Sequence, residues 1–302
     1  MPKKRLLFIY NPIAGKARII HRLPHILNLF ARNGYEITIC PTQKGGDAAE
    51  AIVERRGEYE LIICAGGDGT LAEVVSAMVR SRVELPLGYI PSGSTNDFGS
   101  SLQLPKRLIS AAEICMNGKD FPCDVGFLND DLFVYVAAFG LFTDVSYETG
   151  QDMKNQLGYI AYILEGAKRL SSIPSYKMEV RSEDRLITGE FIFGMISNSL
   201  SVGGFKRITG NQVQLDDGLF EVALIRKPRN PKEFNNTILS LMNRDSETES
   251  IYYFKASTIQ ITSKELLPWT LDGEYGGSHT NVTIQNKQKA ISFRIRPDSD
   301  IR

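Results

Sequence analysis

The sequence is poor in the residues that most often carry chemistry alone. Its 302 residues include three histidines, one tryptophan and four cysteines. Cys40, Cys64, Cys115 and Cys123 form no C-x-x-C pair and no metal-ligand spacing, so they read as buried, reduced thiols. His21 and His25 stand four apart, a zinc-compatible helical spacing, but no nearby Cys or carboxylate completes a site. No G-x-x-x-x-G-K-[ST] segment and no protein-kinase catalytic loop occurs, which sets aside the two commonest phosphotransferase designs. Charge of one sign is also missing. Lys plus Arg and Asp plus Glu are 35 each, leaving no overall attraction for nucleic acid. The longest uncharged apolar stretch, Leu132 to Phe142, falls short of the ~20 residues that span a bilayer. Lys3, Lys4 and Arg5 precede only the short apolar run Leu6 to Tyr10, unlike a secretory signal. A cytoplasmic protein is expected, at most attached to a membrane surface.

What is present indicates two domains, because single cores rarely grow far beyond this length. The first third alternates strands and helices. Leu6–Tyr10, Glu36–Cys40, Leu61–Ala65 and Leu87–Ile90 read as strands. Between them lie a helix with Ile19, Ile20, Leu23, Ile26, Leu27 and Phe30 on one face, a short helix over Asp47–Arg56, and another over Thr70–Val79. This alternation predicts a parallel sheet with right-handed crossovers, binding its ligand where strands end in loops at the carboxyl edge. From about Phe121 strand signals dominate: Leu132–Ala138, Tyr176–Arg181, Glu190–Asn198, Leu219–Ile225, Ser257–Thr262, Val282–Gln285 and Ile291–Ile295. Helical patterns interrupt them over Tyr159–Leu170 and Pro231–Met242. The expected fold class is α/β: an amino-terminal α/β nucleotide-binding domain with a parallel sheet, followed by a β-rich sandwich domain.

Three polar loops fall at the predicted carboxyl edge. Gly66-Gly67-Asp68-Gly69-Thr70 follows an apolar strand and opens a helix, leaving backbone free for close approach and N–H groups for an anion. Gly67, Gly69 and Ala72 also fit the loose dinucleotide pattern G-x-G-x-x-A, and a tight structural turn is the plain alternative. Asp68 would oppose a bare pyrophosphate. A magnesium-bound nucleotide resolves that conflict, since Mg²⁺ prefers carboxylate and phosphate oxygens. The second loop, Asn11-Pro12-Ile13-Ala14-Gly15-Lys16, supplies amide and cationic donors, or is loop punctuation. The third, Pro91-Ser92-Gly93-Ser94-Thr95-Asn96-Asp97, supplies hydroxyls and a carboxylate, or is a helix cap. In the β-rich part, Asp216-Asp217-Gly218 and Trp269–Glu274 read either as turns or as carboxylates for phosphoryl transfer to a hydroxyl.

The order of NPxAGK, GGDGT, P-x-G-x-x-N-D-F, CDVG, GGF, DDG and DGE, running from Asn11 to Glu274, resembles the diacylglycerol kinase catalytic family in its small bacterial lipid-kinase form. GGDGT alone is shared with NAD kinases. Asn11-Pro12, Asn96-Asp97-Phe98 and Asp272-Gly273-Glu274 narrow the likeness to the lipid group. The resemblance implies ATP and Mg²⁺ as cofactors, with a nucleotide-contacting set of Asn11, Pro12, Ile13, Ala14, Gly15, Thr42, Gly67, Asp68, Gly69, Thr70, Leu71, Ala72, Glu73, Ser94, Asn96 and Asp97. It assigns Glu274 as general base for the lipid hydroxyl, with Asp68 also catalytic. It implies a structural magnesium site at Asp217 with backbone carbonyls of Gln214 and Leu219, beside an acidic network of Asp68, Asp97, Asp124 and Asp216. The final strand, Ile291–Arg296, returns to the first domain in that architecture, so the expected domains are 1–124 plus 289–302 and 125–288. Ser94 stands where the family pattern often has threonine and keeps the hydroxyl. Expected partners are ATP and a lipid at the inner face of the membrane, with no nucleic acid, and a homodimer stays open. An NAD kinase-like enzyme with a soluble substrate and a non-catalytic nucleotide-binding regulator are the alternatives. Retention of Glu274 and the Asp216-Asp217 pair argues against the regulator.

Overall fold

The computed structural model of the chain describes residues 4–141, 173–202, 205–206, 213–243 and 250–301. The helix read over Tyr159–Leu170 and the Gly203-Gly204 pair lie outside them. The chain divides into two compact units, one of 1–125, 214–218 and 287–302, the other of 126–213 and 219–286.

The first unit is built on strands β1 (Lys4–Tyr10), β2 (Tyr35–Pro41), β3 (Leu61–Gly66) and β4 (Pro86–Pro91), which pair in parallel in the order β2-β1-β3-β4. β3 is buried at every position, as its unbroken apolar run requires of a strand covered on both faces. Its crossovers are α1 (Leu23–Arg32), α2 (Asp47–Glu54) and α3 (Asp68–Arg80). Phe30 of α1 meets Phe8 of β1 edge to face at 5.5 Å, and both are fully buried. Burying each such ring contributes about 2–3 kcal/mol.

The helix predicted from Ile19 is broken: a 3₁₀ turn covers Ile20–Arg22 and the α-helix starts at Leu23. Pro24 in its first turn lacks the N–H that an uninterrupted helix would need there. Ile20 leaves the apolar face and is 41% exposed. Among the described residues, α4 (Asp97–Ser101) and α5 (Leu108–Asn117) are helices without a sequence-based counterpart. α5 lies so close to β4 that a Cβ on Gly88 would sit 2.7 Å from the Cys115 sulfur. All four cysteines are unpaired, and burial pushes the Cys115 thiol up to about 12.

The described strands of the second unit pair antiparallel. Its strands are β6 (Asp131–Phe133), β7 (Val136–Gly140), β8 (Tyr176–Arg181), β9 (Leu186–Ser197), β10 (Phe220–Arg226), β11 (Ile251–Ala256), β12 (Thr258–Leu271) and the first part of β13 (Glu274–Ile295); β5 (Lys119–Leu128) ends beside β6. They follow the order β11-β10-β9-β7-β12-β13, and β8 fills the next stretch of the same slot between β9 and β12. Among the described residues these strands form one succession of hydrogen-bonded neighbours, beside a short separate pair at Ser201–Val202 and Phe205–Lys206. β9 and β12 are long enough for each to reach two partners in turn, β7 and then β8. Its core centres on Trp269, Phe139 and Phe191. Phe139 meets Trp269 edge to face at 5.1 Å and lies across Gly194, where a Cβ would come 2.2 Å from the ring.

Two segments from later in the chain join the first unit, and only the second of them crosses the expected division. The end of β13 pairs in parallel with β4 through Ser292 and Phe293, within the first unit. Residues 214–218, assigned by sequence to the second domain, also belong to the first unit. The cause is Asp124, whose N–H donates to the Leu215 carbonyl and whose carboxylate accepts from Gly218 N at 2.7 Å.

Candidate active site

The carboxyl ends of β1, β3 and β4 bring the three polar loops together through their main chains. Asn11 N donates to the Ala65 carbonyl at 2.9 Å, and Ser92 and Gly93 N–H groups donate to the Gly66 carbonyl at 2.9 and 3.2 Å. Gly15 adopts φ +54° and sits where a Cβ would lie 1.9 Å from the Ser92 carbonyl oxygen. A Cβ on Gly93 would come 2.5 Å from the Cα of Gly67. These glycines are therefore required by contact between loops. Side chains then lock the arrangement. Asn11 Nδ2 donates to Thr70 Oγ1 at 3.3 Å while its Oδ1 accepts from Ile13 N at 3.0 Å. Asn96, at φ +54°, accepts from Gly93 N and donates to Gly93 O, both at 2.9 Å. Tyr89 supports the cradle from beneath, its hydroxyl donating to the Gly66 carbonyl at 3.3 Å.

Asp68, the first residue of α3, lies against the start of α4. Its carboxylate accepts from Asp97 N at 3.2 Å and Phe98 N at 3.4 Å. Burial and the neighbouring Asp97 carboxylate push Asp68 up to about 6, against the lowering effect of those N–H bonds. Asp97 itself is 3% exposed. A carboxylate raised in this way resists ionisation, and a cation beside it relieves that cost.

The remaining residues expected to contact a nucleotide are placed unevenly. Ser94 and Gly69 are exposed, and Pro12, Ala14, Thr42 and Ala72 are half-buried. Thr42 is tied by its N–H to the Tyr10 carbonyl at 2.9 Å. Ile13 is 80% exposed. Leu71 is only 1% exposed, so its side chain belongs to the core. Glu73 turns its Oε1 to the start of α2, accepting from Gly46 N, Ala48 N and Ala49 N at 2.9, 2.9 and 3.3 Å. In this geometry it is a helix cap supplied from the neighbouring helix.

The 214–218 loop is organised by Asp124, which is fully buried and accepts from Gly218 N and Lys289 N, each at 2.7 Å. Both of its oxygens thus fix backbone. Asp216 has Lys289 Nζ 3.9 Å from its carboxylate, and its carbonyl accepts from Gln288 at 3.0 Å. No cluster of three or more His, Cys, Asp or Glu groups suited to a metal occurs among the described residues. An ion held by Asp217 and the carbonyls of Gln214 and Leu219 needs no such cluster, since hard cations accept main-chain oxygen and water.

In the second unit, Leu271 pairs with Glu274 across a two-residue turn. Asp272 and Gly273 have φ of +50° and +90°, the signature of a type I′ hairpin. The Asp-Gly reading as a turn is correct here. Glu274 is exposed at its far side. Sequence reasoning missed what Asp272 does: it is 6% exposed, and its carboxylate accepts from Val134, Tyr135 and Val136 N–H groups at 2.6, 2.9 and 3.1 Å. The Asp-Gly pair announced the turn, but nothing in the residues announced those donors. Nor did Tyr89, inside an apolar strand, announce its hydroxyl bond.

Residues 5–128 match the model of the diacylglycerol kinase catalytic domain. A diacylglycerol kinase of Staphylococcus carnosus is 34% identical over 278 residues, covering 91% of this chain and 90% of the relative. One from Bacillus subtilis is 33% identical over 276 residues, covering 91% of each. A crystal structure of a diacylglycerol kinase from Bacillus anthracis shares the fold, with TM-score 0.76, 23% identity and 98% of each chain covered.

Proposed function

The chain belongs to the diacylglycerol kinase family, and from that premise we propose that it transfers the γ-phosphoryl group of ATP to a hydroxyl of diacylglycerol or a related lipid, with Mg²⁺. It is a kinase with an alcohol acceptor. The observation that carries the reading is the interlocked glycine cradle with the Asp68–Asp97 pair at its rim.

The roles follow from the residues. Main-chain N–H groups at the start of α3 receive phosphate oxygens, and Thr70 and Ser94 add hydroxyl donors. Asp68 and Asp97 would hold a magnesium ion, which would neutralise the phosphate charge. Glu274 accepts the proton of the lipid hydroxyl as that oxygen bonds to the γ-phosphorus and the bridging oxygen leaves with ADP. Asp217, with the Gln214 and Leu219 carbonyls, is assigned the separate structural cation, and Asp124 shapes that loop without needing to touch the ion.

No helix among the described residues is long and apolar enough to cross a membrane. We read the encounter with lipid as peripheral and reversible. Transfer of radiolabelled γ-phosphate from ATP to a panel of purified lipids, with NAD alongside, tests the function. Labelled phosphatidate or another phosphorylated lipid is expected. Label on NAD with none on lipid would replace this reading with the soluble-substrate one.

A further inference from the structure

The type I′ turn before Glu274 does not need an aspartate. Asparagine occupies the first position of such turns at least as readily, because it too tolerates positive φ. A second requirement accounts for the carboxylate. Three consecutive N–H groups, from Val134, Tyr135 and Val136, converge on Asp272 at 2.6–3.1 Å. Only a group with acceptors on both oxygens satisfies all three, and an amide would turn an NH₂ donor toward some of them. Further bonds close the clamp. Asp272 N donates to the Val136 carbonyl at 2.9 Å, and the Tyr135 hydroxyl donates to the Asp272 carbonyl at 3.5 Å. The clamped stretch is itself fixed by Asn198, whose N–H donates to the Tyr135 carbonyl at 2.9 Å. It also explains why the strand read over Leu132–Ala138 is split into β6 and β7: the donors at Val134 and Tyr135 serve Asp272 instead of a neighbouring strand.

We infer that Asp272 is a positioning residue for Glu274, two residues away on the same turn; this rests on the reading of Glu274 as general base. Glu274 is exposed, and among the described residues no hydrogen bond or ion pair holds its side chain, so the buried carboxylate sets where its backbone stands. A base is effective only within hydrogen-bond reach of its proton, and a displacement of about 1 Å can cost on the order of 100-fold in rate.

The test is a double-mutant cycle of Asp272→Asn and Glu274→Gln. Initial rates are measured with ATP and dioleoylglycerol in detergent micelles, alongside amide exchange of the intact chain. Asp272→Asn is expected to lower kcat by about tenfold or more with KM for ATP unchanged, yet to cost less than about twofold in the Glu274→Gln background. Exchange at Val134, Tyr135 and Val136 should accelerate while the parallel strands of the first unit stay protected. Tyr135→Phe, which removes one outer bond and leaves the carboxylate, should show the same non-additivity at smaller size and serves if Asp272→Asn does not fold. Multiplying effects, or unchanged exchange at the three amides, would overturn the inference. Full activity of Glu274→Gln alone would instead remove the general-base reading beneath it.

Discussion

The two places where chemistry is assigned are built by opposite means. In the first unit, the loop edge is made of main chain meeting main chain, and its shape depends on Cβ atoms that are not there. In the second, one buried carboxylate gathers three N–H groups and carries the turn with Glu274. The first kind of site is broken by adding a methyl group, the second by exchanging an oxygen for a nitrogen. A phosphate needs a concave row of N–H donors, which glycines provide. A proton acceptor needs one side chain at one point, which a rigid turn provides.

The largest effect that would sharpen this contrast is steric. Gly15→Ala places a methyl 1.9 Å from the Ser92 carbonyl at a positive φ, so something must shift. A loss of about 2–4 kcal/mol in stability and a large rise in KM for ATP are expected, read by denaturant unfolding and initial rates. Gly67→Ala, whose new atom meets nothing closer than 3.4 Å, should lose less than about 1 kcal/mol. Equal losses at the two positions would break the account of the cradle.

Next in size is Asp68→Asn, expected to lower kcat by on the order of 100-fold. Its stability should move the other way. Asp68 is raised to about 6 from an ordinary 3.8, so the folded chain holds that proton more tightly than the unfolded one. The resulting stability is fully present below about pH 4 and is lost as pH rises through 6, a difference on the order of 3 kcal/mol. The variant lacks this decline. Above pH 7 it should unfold no earlier than the parent chain, even after losing one acceptor worth about 1 kcal/mol. Thermal scans from pH 4 to pH 8 check it, and parallel pH profiles for the two proteins would count against the assigned burial of charge.

The smallest effect concerns Glu73. As a cap on α2 it should cost about 1 kcal/mol when changed to Gln, with KM for ATP shifted less than about threefold. A tenfold rise in KM without loss of stability would return Glu73 to the nucleotide.

Much of the first unit was legible in the sequence because apolar runs alternate there with helical periodicity and glycine loops mark the strand ends. The exceptions have local causes. Pro24 divided a helix whose apolar spacing looked continuous, and α5 was overlooked though Ala111, Ala112 and Cys115 lie on its buried side. The second unit was legible strand by strand, but its pairing was not, since periodicity tells which face is buried and not how many partners a long strand reaches. At the sites, residue types pointed to chemistry while contacts decided roles. Asp124, Glu73 and Asp272 are all carboxylates engaged by backbone N–H groups, and sequence cannot distinguish such an acceptor from a ligand or a base.

The central claim is tested most directly by single-turnover transfer from radiolabelled ATP to dioleoylglycerol, comparing the parent chain with Glu274→Gln. The account predicts labelled phosphatidate from the parent and a rate roughly 10²–10⁴-fold lower from the variant, with ATP affinity and thermal stability nearly unchanged. A folded variant that keeps more than about a tenth of the parent's single-turnover rate would contradict it.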